Sequence, residues 1–205
     1  MPIEKSCIKV TCVNYTGCFV GIKLLDHPEQ RLICVDRDGR ETGRVVDRKT
    51  AHTAPGVKHL AIQILVFSPK KELILHERPK KKVGGNVLDA PTTHVLAGET
   101  PKEAAARCLK NEYGIVDKLK IKILSGFSYE KEYGNGSCEN EFCLAAFVEY
   151  AGKLQPNTEE AAKIVILPVG KVISELVYSP EIYPVWLKET MIRVKADPEA
   201  GKYFS

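Results

Sequence analysis

The segment "KHLAIQILVF" (58–67) constrains this chain more than any other stretch. It is nearly all apolar and reads as a central strand, which must be covered by other elements. The flanking sequence supplies partners. "RLICVD" and "ETGRVVD" flank Arg37-Asp38-Gly39-Arg40, with Gly39 as the turn residue, and read as a hairpin. "SPKK" turns the central strand into a second one, "ELILHER". "KKVGGNVLDAPTT" (81–93) is a loop marked by glycine and proline. A helix follows: Thr100 caps it, Pro101 suits its first position, Glu103 completes a capping box, and Gly114 stops it. "KIKILSGFSY" and "ENEFCLAAFVEY" read as strands separated by the polar loop "EKEYGNGSC", and "KIVILPV" as a last strand. "VGKVISELV" and "EIYPVWLKETMIRVK" read as closing helices, the second bent or interrupted near Pro184. Strands and helices mix without regular alternation, which predicts a mixed-sheet α/β or α+β sandwich.

Composition narrows the function. A chain of 205 residues that is 44% hydrophobic can bury a substantial core, and one domain with terminal additions is the natural expectation. The net charge of +4 is mild, and the lysines are scattered apart from "PKKK" at 79–82. No concentrated basic face is expected, and therefore no nucleic-acid partner. No apolar run approaches the roughly 18 residues of a membrane span, so no membrane partner is expected either. "MPIEKSCIKV" lacks the apolar core of a secretory signal. Seven cysteines without a CxxC pair favour free thiols in a reducing cytoplasm.

Histidine is scarce, with five in the chain, yet His52, His59 and His94 gather around the one apolar strand. Glu139 and Glu141 alternate into another apolar run. At i and i+2 on a strand their carboxylates face the same side, where two charges are costly unless a cation compensates.

Two resemblances organise these residues. "THVLAGETPKEAAARCLKNEYGI" (93–115) resembles the Nudix box: a glycine, a glutamate six on, then Arg-Glu-aliphatic-x-Glu-Glu-x-Gly-aliphatic. Glu99, Arg107, Leu109, Glu112, Gly114 and Ile115 match. The opening glycine is Thr93, and two glutamates that hold magnesium in Nudix hydrolases are Cys108 and Asn111. Three carboxylates on one helical face would hold a hard cation beside a diphosphate; here Glu112 alone remains of them. The resemblance implies a Nudix fold of α/β (α+β) class, a mixed β-sheet sandwiched between helices, over residues 31–205. Residues 1–30, with strand-like patches "CIKVTCV" and "CFVGIKLL", form an N-terminal extension expected to pack on it.

The chain is also similar to the type 1 isopentenyl-diphosphate isomerases, in which three histidines and two glutamates hold a metal. "HTAPGVKHLAIQILVF" and "ENEFC" resemble the corresponding segments. This implies a ligand set of His52, His59, His94, Glu139 and Glu141, with Glu112 for a second, diphosphate-bridged magnesium. Such a nearly octahedral shell suits magnesium, manganese or zinc-like divalents rather than calcium. The resemblance further implies that Tyr129 works with Glu141 on one face of the substrate. Thr92 stands where the family has its proton-transferring cysteine, and Asp89 where it has an asparagine. Arg48, Arg78 and either Lys81 or Lys82 match basic residues that contact diphosphate. Trp186 corresponds to an active-site tryptophan or else serves the core, and Cys108 and Cys143 are read as packing residues.

Three functions stay open: a metal-dependent hydrolase of a small-molecule diphosphate, with Glu141, Tyr129, Thr92 and Glu112 as catalytic candidates; an isomerase of prenyl diphosphates; and a non-catalytic protein that binds metal and diphosphate.

Overall fold

A computed structural model describes residues 30–205. The proposed extension at 1–30 therefore lies outside the described residues save its last. β1 (Arg31–Val35) and β2 (Glu41–Asp47) form an antiparallel hairpin. Its turn is closed by the Asp36 carboxylate, which accepts from the amides of Asp38 and Arg40, and by Gly39 at φ +80°. One helical turn, α1 (Arg48–Ala51), follows, capped by Asp47. β3 (His59–Phe67) is the predicted central strand, and all nine of its residues are buried.

Around it the chain adds β4 (Glu72–Glu77), β5 (Leu88–Asp89), β6 (Thr92–His94), α2 (Pro101–Tyr113), β7 (Lys122–Glu132), β8 (Cys138–Glu149), β9 (Lys163–Pro168), α3 (Val169–Tyr178) and α4 (Val185–Ala196). The sheet is mixed: β3 runs parallel to β8 along its whole length and antiparallel to β1, β4 and β6. β7 flanks β8, and β9 flanks β4.

The period-2 alternation of β3 sorts its side chains between two layers. Leu60, Ile62, Ile64 and Val66 pack with Ala104, Ala105, Cys108 and Leu109 of α2. Leu65 and Phe67 pack with Val172 of α3 and Leu187, Met191 and Val194 of α4. The α+β expectation is met, with helices on both faces of a mixed sheet.

Local details depart from the sequence reading. The stretch 81–93 is not all loop, because β5 and β6 pair there with β4 and β3 and cover their backbone groups. β7 and β8 extend into the supposed polar loop and leave only 133–137 between them. The last helix is interrupted rather than bent. A 3-10 turn at Pro180–Ile182 precedes Pro184, which caps α4 and leaves Tyr183 extended at φ −120°, ψ 151°. The helix ends of α2 match: Thr100 and Glu103 form the capping box, and Gly114 is left-handed at φ 68°. Among the described residues no helix is long and apolar enough to cross a membrane.

Candidate metal centre

Three adjacent strands bring the acidic and imidazole groups together. The parallel register sets His59 of β3 directly beside Glu141 of β8, and the β7–β8 register sets Tyr129 on Glu141's other side. β6 pairs His94 with Ala61 of β3. His52 enters from the end of α1, where its amide and its Nδ1 both engage the carbonyl of Arg48. His52, His59, His94, Glu139 and Glu141 each offer one donor atom, all within 4.8 Å of one another. The three imidazole centroids form a triangle with sides of 4.8, 4.9 and 5.0 Å.

Orientation favours a cation at the centre of that triangle. His52 Nδ1 is 2.9 Å from Arg48 O, and His59 Nδ1 is 2.8 Å from Val57 O, so each ring keeps its proton on Nδ1. The Nε2 lone pairs then face inward, His52 against Glu139 Oε2 at 3.0 Å and His59 against Glu141 Oε1 at 3.3 Å. His94 Nε2 lies 3.3 Å from the same Glu141 oxygen. His52 Nε2, His59 Nε2 and Glu139 Oε2 are buried with no hydrogen-bond partner. Lone pairs in such opposition need a proton or a metal between them. The donor set of nitrogens and carboxylate oxygens fits manganese, magnesium or zinc.

The electrostatics agree. Burial pushes Glu141 up, but the imidazoles of His59 and His94 overcome this and hold it well below the carboxylate range. Burial drives His94 down to about 4. Burial also lowers His52, yet the adjacent Glu139 carboxylate carries it above its ordinary value. Tyr129 donates to Glu141 Oε2 at 2.5 Å, and burial together with that carboxylate keeps the phenol protonated far above its usual range.

A pocket of about 60 Å³ opens beside the centre, with His94, Glu139, Glu141, Tyr129 and Thr92 on its wall. Glu112 lines the same pocket but stands outside the five-donor group, apart from the ligands expected to hold the first ion. Its Oε2 is 3.9 Å from His76 Nδ1, and burial raises its carboxyl to about 8. Its helix neighbours Cys108 and Asn111 share the wall. The Cys108 thiol is pushed well up by burial and then by Glu112, and Cys143 by burial and then by Glu141, consistent with inert packing residues.

The basic residues divide. Arg48, Arg78 and Lys82 line the pocket. Lys81 does not: it is exposed and pairs with Glu159. Lys82 pairs with Glu160 on the pocket wall. Arg78 donates to Val83 O at 2.9 Å and to Asp89 at 3.3 Å. Asp89 is fully buried beneath the pocket rather than on its wall, so it cannot reach substrate in place of the missing thiol. Arg107 and Glu99 of the box form a bidentate pair, and Arg107 also donates to His94 O at 2.8 Å, which fixes the entry to α2. Two contributors escaped the sequence reading. Glu160 carried no local signal. Gln63 did, as the one polar residue inside "HLAIQILVF".

Known proteins resemble this chain in sequence and in fold. Three curated relatives are each named isopentenyl-diphosphate Delta-isomerase. The protein from Haloarcula marismortui is 29% identical over 70% of this chain and 79% of its own length. That from Pectobacterium atrosepticum is 25% identical over 82% and 92%, and that from Escherichia coli 26% over 86% and 95%. Among solved structures, a Deinococcus radiodurans protein superimposes with a TM-score of 0.57 at 18% identity, covering 73% of this chain and 90% of its own. A MutT protein from Methanosarcina mazei gives 0.55 at 15%, covering 72% and 93%. These two likenesses speak to fold alone. The NUDIX domain model matches residues 57–185, from the entry of β3 to the start of α4, and takes in four of the five grouped donors. With well over half of its length matched, the chain belongs to the NUDIX domain family, with isopentenyl-diphosphate isomerases among its relatives.

Proposed function

We propose that the protein is a metal-dependent enzyme acting on a small-molecule diphosphate, and that its reaction is hydrolysis. One observation carries this reading. The five-donor centre shares its pocket with Arg48, Lys82 and Glu112, and among the described residues the hydrogen-bonded pair of Tyr129 and Glu141 stands on one side of it. A divalent ion held by the five donors would supply Lewis-acid polarisation of a phosphoryl oxygen. The basic residues then bind the phosphates, Arg48 through a planar fork. Glu141 is ionised and takes a proton from the water that attacks phosphorus as the bridging P–O bond breaks. Tyr129 keeps its own proton and positions that carboxylate.

Isomerisation of a prenyl diphosphate is the second reading, favoured by the names of the curated relatives and by the same Tyr129–Glu141 pair. It requires a second proton-transfer group across the alkene. Thr92 is a poor one, because its alkoxide is far too costly near neutral pH and its hydrogen is engaged with Ala90 O at 2.8 Å. The two reactions separate when metal-loaded protein is incubated in deuterated water with isopentenyl diphosphate and with nucleoside diphosphate derivatives, followed by phosphorus and proton NMR. The expected outcome is phosphate release from at least one diphosphate and no deuterium in isopentenyl diphosphate, with slow exchange appearing in Thr92→Cys. Robust isomerisation by the parent would overturn hydrolysis, and tight binding without turnover would leave a binding protein.

A further inference from the structure

A chain of oriented hydrogen bonds runs beneath the pocket and ends on Thr92. Its origin is Asp89, whose fully buried carboxylate lies 3.3 Å from the Arg78 guanidinium. Asp89 Oδ1 accepts from Gln63 Nε2 at 2.8 Å, from the Ala90 amide at 2.8 Å and from Trp186 Nε1 at 3.2 Å. A carboxylate beside an arginine accepts and does not donate, so the Gln63 amide must turn its NH₂ toward it. The second hydrogen of that NH₂ then points at Thr92 Oγ1, 3.1 Å away. Thr92 therefore accepts from Gln63 and sends its single hydrogen to Ala90 O. The cost of this order is visible in Gln63 Oε1, which is buried with no partner. A hydroxyl has two lone pairs, and Gln63 takes one. The other is left to Thr92, which lines the pocket.

The geometry points to Thr92 as a specificity-determining residue: a fixed hydrogen-bond acceptor that selects diphosphate esters whose organic part carries a hydroxyl or amine donor over esters with a hydrocarbon tail. This rests on the proposed diphosphate site. A hydrocarbon placed against the free lone pair would strip it of water and return nothing, whereas a donor satisfies it. The wall is rigid, because the Trp186 ring is held by Asp89 and packs against Tyr129 at 5.3 Å.

The test measures binding to the magnesium-loaded protein by calorimetry. Its probes are inorganic diphosphate, isopentyl diphosphate and 3-hydroxy-3-methylbutyl diphosphate; the two esters share a carbon skeleton and differ by one hydroxyl. The parent is expected to prefer the hydroxylated ester by about fivefold, the effect of one added hydrogen bond. Thr92→Val should erase the preference at nearly constant volume, and Thr92→Ser should keep it. Equal affinity for the two esters in the parent, or a preference that survives in Thr92→Val, overturns the assignment while inorganic diphosphate binding leaves the site itself standing. Failure of the parent to bind inorganic diphosphate overturns the diphosphate reading and this one with it.

Discussion

His52 and His59 each commit one ring nitrogen to a backbone carbonyl and present the other to a carboxylate. The carbonyls, not the carboxylates, therefore decide which nitrogen is available. About one divalent ion per chain should copurify, bound by the five donors. His59→Ala and Glu141→Gln should each lose most of it by elemental analysis. Full occupancy in both variants would discard the ligand set. Chelation of the parent should lower its melting temperature, since an ion that binds only the folded chain stabilises it. At this scale the sequence was informative wherever a residue type was scarce or misplaced, as with histidine in this chain or Gln63 in an apolar strand. It was silent on Glu160, because an exposed-looking loop glutamate carries no mark of the lysine it meets.

Period and capping explain the elements. β3 is buried on both faces, and the same alternation that sends Leu60 and Ile62 to α2 sends His59 and Gln63 the other way, toward Glu141 and Asp89. A one-residue slip against β8 would move His59 away from Glu141 and expose the wrong face to the core. α2 is written almost entirely in local code, from the Thr100–Glu103 box to Gly114. Gly114 ends it at φ 68°, and a Cβ there would lie 2.4 Å from Gln155 O. Gly114→Ala should therefore cost on the order of 1–3 kcal/mol in urea unfolding, combining backbone strain with displacement of the neighbouring loop. A stability unchanged within error would show that the loop yields freely. The short strands β5 and β6 were not legible, because two or three residues carry no periodicity and pair only when β3 and β4 are already in place.

For the whole molecule, pH reports how the layers close over the pocket. Burial lifts Glu112 from 4.5 to about 8. Between those values the folded chain holds a proton that the unfolded chain has released, so stability falls as pH rises. Burial lowers His76 from 6.5 to about 3, which adds stability as pH climbs to 6.5 and nothing above it. Asp89, raised from 3.8 to about 6, has finished titrating by then. His52, also raised, falls in the same sense as Glu112. The Glu112 contribution is therefore the difference between parent and Glu112→Gln. Metal-free parent should lose up to about 1 kcal/mol per pH unit more than the variant between roughly pH 6.5 and 8 in urea titrations. Parallel slopes would contradict a protonated Glu112.

The sequence by itself determined the elements that local torsions control: the buried central strand, the hairpin turn at Gly39, the capped helix and its glycine stop. Through its resemblances it also named the five donors and Tyr129, because scarce residue types keep their spacing to those elements. Only the tertiary structure decided the partners. The parallel β3–β8 register put His59 beside Glu141, loop direction put Lys82 in the pocket and Lys81 outside it, and burial turned Asp89 inward to fix Gln63 and Thr92. Each of these depends on groups distant in the chain meeting in a space of low polarity. There, hydrogen bonding and charge select one orientation that no local pattern records.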